Sequence, residues 1–325
     1  MGSKVKISQT ISTILSLFLI GGCNITPPDN STDEAMNLVF RRDNELWTYD
    51  VLGDQLKKIV PTGVIIYVNE MGTEFTRIWA EGAQWSPDGK RIVFIEAVAD
   101  DIQNLKILDL ESGKGKFFNG DITRNDNTPS WNADGTEIFF AKVMHNPGWN
   151  YELFKVDTSG QNEQQILSHP RYSDLYPTVN RLNDVIVYSA QDPLTVWQLY
   201  KMDIDGSNPT QLTHGIPQLH EMFTRPQFNP VNDDLVYVAA SGDSSYKDIW
   251  LVHDLDFTNA LQLTDTDSTD WAPSWSNDGK YIVFTRFEDP NRISHNPTVW
   301  IMNSDGTNQH KLIDNGSNPD IWITN

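Results

Sequence analysis

A short pattern that recurs along the chain constrains the fold more than any other feature of the sequence. Its fullest copy is AQWSPDGKRIVF at 83–94, where a small residue lies two positions before a large apolar residue and a tight-turn sequence follows. A small residue or proline opens six such copies, at Ala83, Pro129, Pro177, Pro226, Pro273 and Pro319. The copies are spaced by about 46 to 49 residues, a period typical of repeat proteins built from small β-sheets.

Each repeat contains four short segments with the character of β-strands. The first leads into turns such as SPDGK and SNDGK, where glycine accepts the positive φ of a tight hairpin. The second is a β-branched and aromatic run such as RIVF at 91–94, which is too short for a helix. The third ends on patterns such as LFKVD at 153–157, and a second turn leads to the fourth. Four antiparallel strands with two tight turns form one propeller blade.

The two ends of the chain together supply one blade. The segment 37–40 matches a second strand with no first strand before it, and NPDIWIT at 318–324 matches a first strand with no second strand after it. We expect these segments to pair, because pairing closes the ring and leaves no open sheet edge. The predicted fold class is all-β, a six-bladed β-propeller of four-stranded antiparallel blades over 37–325. The additional segment 64–79 is predicted to be an extra hairpin or a lengthened fourth strand.

The N-terminal segment has the pattern of an export signal. Lys4 and Lys6 precede a largely apolar run at 7–20, which is shorter than the roughly 20 apolar residues of a spanning helix. The run ends at Cys23, the one cysteine of the chain, and resembles the lipobox of bacterial lipoproteins. This predicts a signal peptide at 1–22, then a lipidated Cys23 and a flexible tether at 23–36. The alternative is an ordinary signal peptide in which Cys23 has no role.

The charge of the chain excludes one class of partner. Its 44 acidic and 24 basic residues give a formal net charge of −20. Nucleic-acid binding requires a basic surface, so we expect no nucleic-acid partner. We expect a monomer that contacts the membrane only through its lipid anchor.

The repeats resemble those of TolB-type β-propellers. The resemblance rests on WSPDGKRIVF, WNADGTEIFF and WSNDGKYIVF together with DIDGSNPTQLT and NSDGTNQHKLI, and it covers almost everything after residue 36. Two repeats depart from the pattern, since TVNRLNDVIVY and QFNPVNDDLVY lack the Asp-Gly turn.

TolB is a soluble periplasmic protein with an additional α/β domain, and it docks a peptidoglycan-associated lipoprotein. The sequence leaves no room for that domain, and the identity of the TolB partner cannot be transferred. The resemblance and the lipobox imply a bacterial cell-envelope protein, periplasm-facing or surface-exposed. They also imply a non-catalytic protein-binding or scaffold role with an envelope protein or polysaccharide as partner.

Three aspartates at equivalent positions form a candidate metal site. Asp126, Asp174 and Asp270 each lie three residues before the proline of a repeat, so a ring would bring them to the mouth of its central channel. Carboxylate oxygens are ligands that Ca²⁺ and Mg²⁺ prefer. The alternative is that each aspartate accepts backbone N–H bonds in its own turn.

A second candidate site lies in the segment HGIPQLHEMFTR. His214, His220 and Arg225 fall within this connection between two repeats. Some TolB-type propellers are oligogalacturonate lyases that use histidines around manganese and basic residues for the acidic sugar. The alternative function is therefore a metal-assisted polysaccharide lyase or a glycan-binding propeller, with Ca²⁺ or Mn²⁺ as the possible cofactor. The competing interpretation is that the histidines are ordinary surface residues.

Aromatic residues and repeated aspartates complete the candidates. Trp149 and Trp271 lie in or beside variable loops and are predicted anchors for a protein or sugar surface. Two sets of residues are predicted to have structural roles. The repeat tryptophans are predicted to pack between blades: Trp85, Trp131 and Trp275. The aspartates that end the third strands are predicted to bond to the following turn: Asp50, Asp109, Asp157, Asp203 and Asp254.

Overall fold

The computed structural model describes residues 35–43, 45–59, 67–68, 74–75, 79–99, 102–117, 126–144, 150–168, 173–191, 196–214, 222–240, 246–288 and 296–324. The predicted signal peptide and Cys23 lie outside the described residues. Within these ranges no helix is long and apolar enough to cross a membrane.

The described strands form six four-stranded antiparallel sheets and one two-stranded sheet. Each four-stranded sheet is a blade, and blades 1 to 6 are numbered from the one that contains β1. The inner strands are β26 (Ser317–Thr324), β6 (Trp79–Trp85), β10 (Asp126–Trp131), β14 (Asp174–Val179), β18 (Met222–Phe228) and β22 (Thr269–Trp275). The second strands are β1 (Ala35–Arg42), β7 (Arg91–Ala99), β11 (Glu137–Met144), β15 (Val185–Gln191), β19 (Leu235–Ala240) and β23 (Tyr281–Phe287).

The remaining strands form the outer half of each blade. The third strands are β2 (Glu45–Asp50), β8 (Ile102–Asp109), β12 (Asn150–Asp157), β16 (Trp197–Asp203), β20 (Asp248–Val252) and β24 (Thr298–Asn303). The fourth strands are β3 (Gln55–Ile59), β9 (Gly115–Phe117), β13 (Gln164–Leu167), β17 (Thr210–Gln211), β21 (Leu261–Gln262) and β25 (His310–Asp314). A short 3-10 helix, Phe257–Asn259, precedes β21.

The ring closes through the two ends of the chain, as predicted. Strand β26 pairs antiparallel with β1, with Leu38 opposite Ile321 and Met36 opposite Ile323. Each inner strand contacts the next around the ring, including β22 with β26 and β26 with β6. The six-bladed propeller predicted from the repeats is therefore confirmed.

The additional segment before blade 2 contains a hairpin. Strands β4 (Tyr67–Val68) and β5 (Glu74–Phe75) pair with each other in a sheet of their own. Of the two predictions for this segment, the structure supports the hairpin.

Among the described residues, the hydrophobic core forms six clusters, one between each pair of neighbouring blades. In the cluster between blades 2 and 3, Val93 and Ile95 pack against Trp131, Ile138 and Phe140. The predicted role of the repeat tryptophans is confirmed, because Trp131 and Trp275 are buried within such clusters and Trp85 is partly buried against another. Buried aromatic surface at every interface stabilises the ring.

Three of the tight turns have the predicted glycine, and two turns have a different residue in its place. Gly89, Gly135 and Gly279 have φ of 67°, 70° and 71°, which glycine adopts at little steric cost. In the two repeats without Asp-Gly, Asn183 and Asp233 take the left-handed conformation, with φ of 55° and 61°. Asparagine and aspartate tolerate this conformation because their short polar side chains bond locally.

Four of the five third-strand aspartates bond to the following turn, as predicted. For example, Asp109 accepts the Ser112 N–H at 2.8 Å and Asp157 accepts the Ser159 N–H at 2.9 Å. Asp50 accepts the Gly53 N–H at 3.0 Å, whereas Asp203 accepts the Ser207 hydroxyl of its turn at 3.1 Å. The prediction is wrong for Asp254, because the 3-10 helix shifts the turn and Asp256 caps it instead.

Candidate functional site

One residue of every inner strand has a left-handed backbone. It directly precedes the proline of the repeat, or Ala83 in blade 2. The six residues are Gly82 (φ 62°), Thr128 (46°), Tyr176 (56°), Arg225 (53°), Ala272 (51°) and Asn318 (49°). A left-handed residue with a side chain costs about 1 to 2 kcal/mol, and glycine occupies this position in blade 2 alone. Such repeated backbone strain is a reason to look for function at this level of the channel.

A β-bulge produces this conformation in each inner strand. In blade 3, Asn127 pairs with Ala141 and Ser130 pairs with Phe139, so Thr128 and Pro129 together oppose one residue. Proline has no N–H to donate and is therefore tolerated at a bulge. In four blades the N–H of the left-handed residue leaves the ladder and bonds to a side-chain oxygen, as from Arg225 to Ser189 Oγ at 3.2 Å. The inner strands thus begin two to four residues before this proline or Ala83, and not at the residue that opens the repeat pattern.

The bulges surround a cavity in the channel. The cavity has a volume of about 160 Å³, and five prolines of the repeats line it together with Ala83 and the left-handed residues. The prolines, Ala83 and the left-handed residues form the bulges. The cavity therefore lies toward the end of the ring at which the inner strands begin. We call this end the linker face. A second cavity of about 160 Å³ is lined by residues after the bulge, toward the end with the tight turns, which we call the turn face.

Arg225 is clamped between two aromatic rings at the linker-face cavity. Its guanidinium carbon lies 4.4 Å from the ring centroid of Tyr176 in blade 4 and 4.7 Å from that of Trp271 in blade 6. Each such contact contributes about 0.5 to 2 kcal/mol. The Arg225 Nε is buried and has no hydrogen-bond partner among the described residues. The two rings therefore lie against the guanidinium, while its Nε–H donor remains unused.

A carboxylate lies on the same cavity in blade 2. Glu81 bonds to Arg41 of blade 1, with Arg41 Nη1 3.1 Å from Glu81 Oε2. Burial raises the pKa of Glu81, and the charges of Arg41 and Arg225 partly oppose this shift. Arg225 and Glu81 therefore interact electrostatically at the level of the bulges.

Asp320 of the closing strand joins three blades beside this cavity. Its Oδ2 accepts the Trp85 N–H of blade 2 at 2.6 Å, and its Oδ1 accepts the Ser274 hydroxyl of blade 6. Burial raises the pKa of Asp320 to about 6. The corresponding residues of the other blades are neutral: Gln84, Ser130, Thr178, Gln227 and Ser274.

Comparisons with known proteins identify the architecture. TolB from Acinetobacter baumannii superposes with a TM-score of 0.67 at 18% identity over 88% of this chain and 66% of that one. A protein assigned as TolB from Agrobacterium tumefaciens gives 0.65 at 17% identity over 90% and 98%. The fold is that of the TolB-type propeller. An oligogalacturonate lyase in complex with manganese gives 0.51 at 15% identity over 78% of this chain and 73% of that chain.

Similarity at the level of sequence is weaker. No family model matches the chain. An uncharacterized protein of Agrobacterium fabrum, Atu1656, is 24% identical over 168 residues, which are 47% of this chain and 53% of that protein. The chain therefore spans about half the length of this curated relative.

The predicted metal-binding aspartates have other neighbours in the structure. Asp270 is fully buried and accepts two bonds from Arg286, from Nε at 2.7 Å and from Nη2 at 2.8 Å. Asp174 is also fully buried, and the side chain of Asp126 lies outside the described residues. Within the described ranges, no group of three or more His, Cys, Asp or Glu side chains is arranged to hold a metal ion. Metal binding by these aspartates stays a prediction.

The predicted binding residues are divided between described and undescribed segments. Arg225 and Trp271 come together in the aromatic clamp, although they belong to different blades. His214 is exposed after β17, on the linker face. Trp149 and His220 lie outside the described residues.

Sequence analysis missed three residues of this site, namely Tyr176, Glu81 and Asp320. Tyr176 occupies the left-handed position of its blade. A residue before proline ordinarily favours extended backbone, so the sequence around Tyr176 does not predict its left-handed conformation. The available signal was the alignment of the repeats, which places Tyr176 in register with Arg225 and Asp320 in register with neutral residues.

Proposed function

We propose that this protein is a non-catalytic binding module of the bacterial cell envelope, anchored through a lipid on Cys23, which docks a protein partner on the linker face of its propeller. The observation that carries the proposal is the clamp of Arg225 between Tyr176 and Trp271 at the linker-face cavity. Arginine and aromatic residues dominate the energetics of protein interfaces. A site assembled from three blades of a closed ring loses little conformational entropy on binding.

Two further observations support the proposal. The TolB-type fold is shared with proteins of the envelope, and the sequence at 1–23 has the pattern of an export signal with a lipobox. The second strands also end and the third strands begin at the linker face, and the number of residues between them differs from blade to blade. Variable loops on a rigid scaffold are common carriers of recognition.

Affinity capture after crosslinking in the native envelope tests this function. The parent protein is compared with Arg225→Ala/Trp271→Ala, and Arg181→Ala is the matched control, because Arg181 lies beside the turn-face cavity and bonds to Asp233 at 3.1 Å. We expect one protein to be recovered with the parent and the control and lost with the double variant. Recovery of no specific protein with the parent, or equal recovery with all three, contradicts the proposal.

The lyase alternative has its own test. Cleavage of polygalacturonate by the purified protein with added Mn²⁺ or Ca²⁺ would replace the binding role with a catalytic one. On the proposed function we expect no cleavage with either metal.

A further inference from the structure

We propose that the linker-face cavity binds the C-terminal carboxylate of a peptide through the edge of the Arg225 guanidinium. This inference rests on the proposed function, since it names the group of the partner that the docking site recognises.

The orientation of Arg225 determines which of its atoms a ligand can reach. A guanidinium is planar and carries five N–H donors around its edge, in a fork that matches a carboxylate. The rings of Tyr176 and Trp271 lie against this group, with centroids 4.4 and 4.7 Å from its carbon, and hydrogen bonds to a ligand form at its edge. The Nε–H is buried and has no hydrogen-bond partner among the described residues, although a buried donor without a partner is costly. A carboxylate at this edge reaches the Nε–H only after a small shift of the surrounding side chains, and it then satisfies this donor with a charge-assisted bond.

The charges around the cavity favour a monoanion over a phosphate group. Of the described residues that line it, Arg225 is basic, and Glu81 and Asp320 are acidic. Glu81 is already paired with Arg41, and Asp320 already accepts bonds from the Trp85 N–H and the Ser274 hydroxyl. A single guanidinium balances one negative charge, whereas a phosphate group carries close to two at neutral pH.

The shape and lining of the cavity suit the end of a peptide chain. A volume of about 160 Å³ accommodates one side chain or the end of a chain. Five prolines and Ala83 give apolar lining, and side chains such as Gln84 and Gln227 give polar lining. An apolar C-terminal residue can pack its side chain against the prolines while its peptide group bonds to the amide side chains.

The geometry also explains why the clamp requires a left-handed residue. Arg225 lies in the bulge of β18, and the aromatic residues come from the inner strands of both neighbouring blades. The bulge redirects the side chain out of the regular alternation of the strand. The backbone strain of Arg225 is thus coupled to the position of its guanidinium in the channel.

Nuclear magnetic resonance of the Arg225 Nε–H group tests this proposal directly. The ¹⁵N-labelled protein is titrated with N-acetyl-leucine, and with N-acetyl-leucinamide as the neutral counterpart. Arg225→Lys assigns the signal by its disappearance, and its unchanged backbone spectrum shows that the variant is folded. We expect N-acetyl-leucine to shift the signal with a dissociation constant on the order of 1 mM, and the amide to leave it in place.

The same titration, followed through backbone signals of the bulges, measures the contribution of the arginine. We expect Arg225→Lys to weaken binding of N-acetyl-leucine by about tenfold, because lysine keeps the charge and loses the planar fork. Arg181→Lys, the same substitution beside the turn-face cavity, should leave the affinity unchanged.

Several outcomes would overturn the proposal. An equal shift with the amide would mean that the site does not recognise a carboxylate. A response to galacturonate or inorganic phosphate without a response to N-acetyl-leucine would assign the site to a sugar acid or to phosphate. No response to any probe would exclude an anion site at Arg225. Each of these results leaves the capture experiment intact, so failure of this inference is distinguishable from failure of the proposed function.

Discussion

Ala272 has the strained backbone of the bulge without a polar side chain that could contribute to recognition. Its φ of 51° is costly for alanine and easily adopted by glycine, the residue found at this position in blade 2. We expect Ala272→Gly to raise the free energy of unfolding by about 0.5 to 1 kcal/mol, the relief of strain less the entropy that glycine loses on folding. Urea denaturation measures this change.

A matched control separates the relief of strain from a general effect of glycine. Ala239 is 4% exposed in β19 and is not among the residues with positive φ. Ala239→Gly should therefore lower the free energy of unfolding by about 1 kcal/mol. A destabilised Ala272→Gly variant would show that the bulge stores no strain at this residue.

Asp320 gives the propeller a predictable dependence on pH. Its pKa is about 6 in the folded protein because of burial, and about 3.9 in an unfolded chain. The ionised form therefore destabilises the folded state above pH 6, and this penalty disappears below about pH 4, where both states are protonated. We expect Asp320→Asn to be more stable than the parent by about 2 to 3 kcal/mol at pH 8 and equally stable at pH 4.

Asp305 provides a control of opposite sign. The hydroxyl and N–H of Thr307 donate to its carboxylate and lower its pKa, so its contribution is present at neutral pH and is lost as the pH falls. Asp305→Asn should lower stability at pH 8 and approach the parent in acid. Denaturation of both variants across pH 3 to 8 gives the comparison, and an Asp320→Asn variant less stable than the parent at pH 8 would contradict this account.

At the scale of the element, the closing strand β26 is the most consequential. It contributes Ile321 and Ile323, 2% and 3% exposed, and covers the edge of β1. Removal of residues 317–325 exposes both side chains and breaks the interface between blades 6 and 1, a loss of more than about 5 kcal/mol. Since a whole domain is stable by about 5 to 15 kcal/mol, we expect the truncated chain not to fold at 37 °C.

Complementation in trans distinguishes closure of the ring from a nonspecific effect of truncation. A synthetic peptide of residues 317–325 should restore the cooperative melting transition, because it supplies the missing inner strand. The same peptide with Ile321→Asp should not restore it. A truncated protein that melts at the temperature of the parent would disprove the role of β26.

The elements show which parts of the structure the sequence could predict. The four strands of each blade and the pairing of the chain ends were predictable, because they depend on apolar periodicity and on turn residues such as Gly89. The bulge was not predictable, because the repeat pattern opens at Pro129, whereas the strand itself begins at Asp126. The clamp depends on this bulge, so Arg225 and Trp271 could be nominated separately and not as partners of Tyr176.

At the scale of the whole molecule, the ring makes the candidate site possible. Each blade packs mainly against its two neighbours through one core cluster on each side, so the inner strands are held at fixed distances. This spacing lets Arg225 of blade 5 reach an aromatic ring in blade 4 and another in blade 6. The net charge of −20 repels an acidic group over most of the surface. Arg225 in the channel provides a local positive charge that attracts such a group.

Site-specific photocrosslinking in living cells tests the central claim, that a partner docks on the linker face, most directly. A photoreactive phenylalanine replaces His214 or Glu288, two exposed residues on the linker face, or Leu182 or Val231, two exposed residues on the turn face. We predict that His214 and Glu288 give the same single protein adduct and that Leu182 and Val231 give none. An adduct from the turn-face positions alone, or from none of the four, would contradict docking on the linker face.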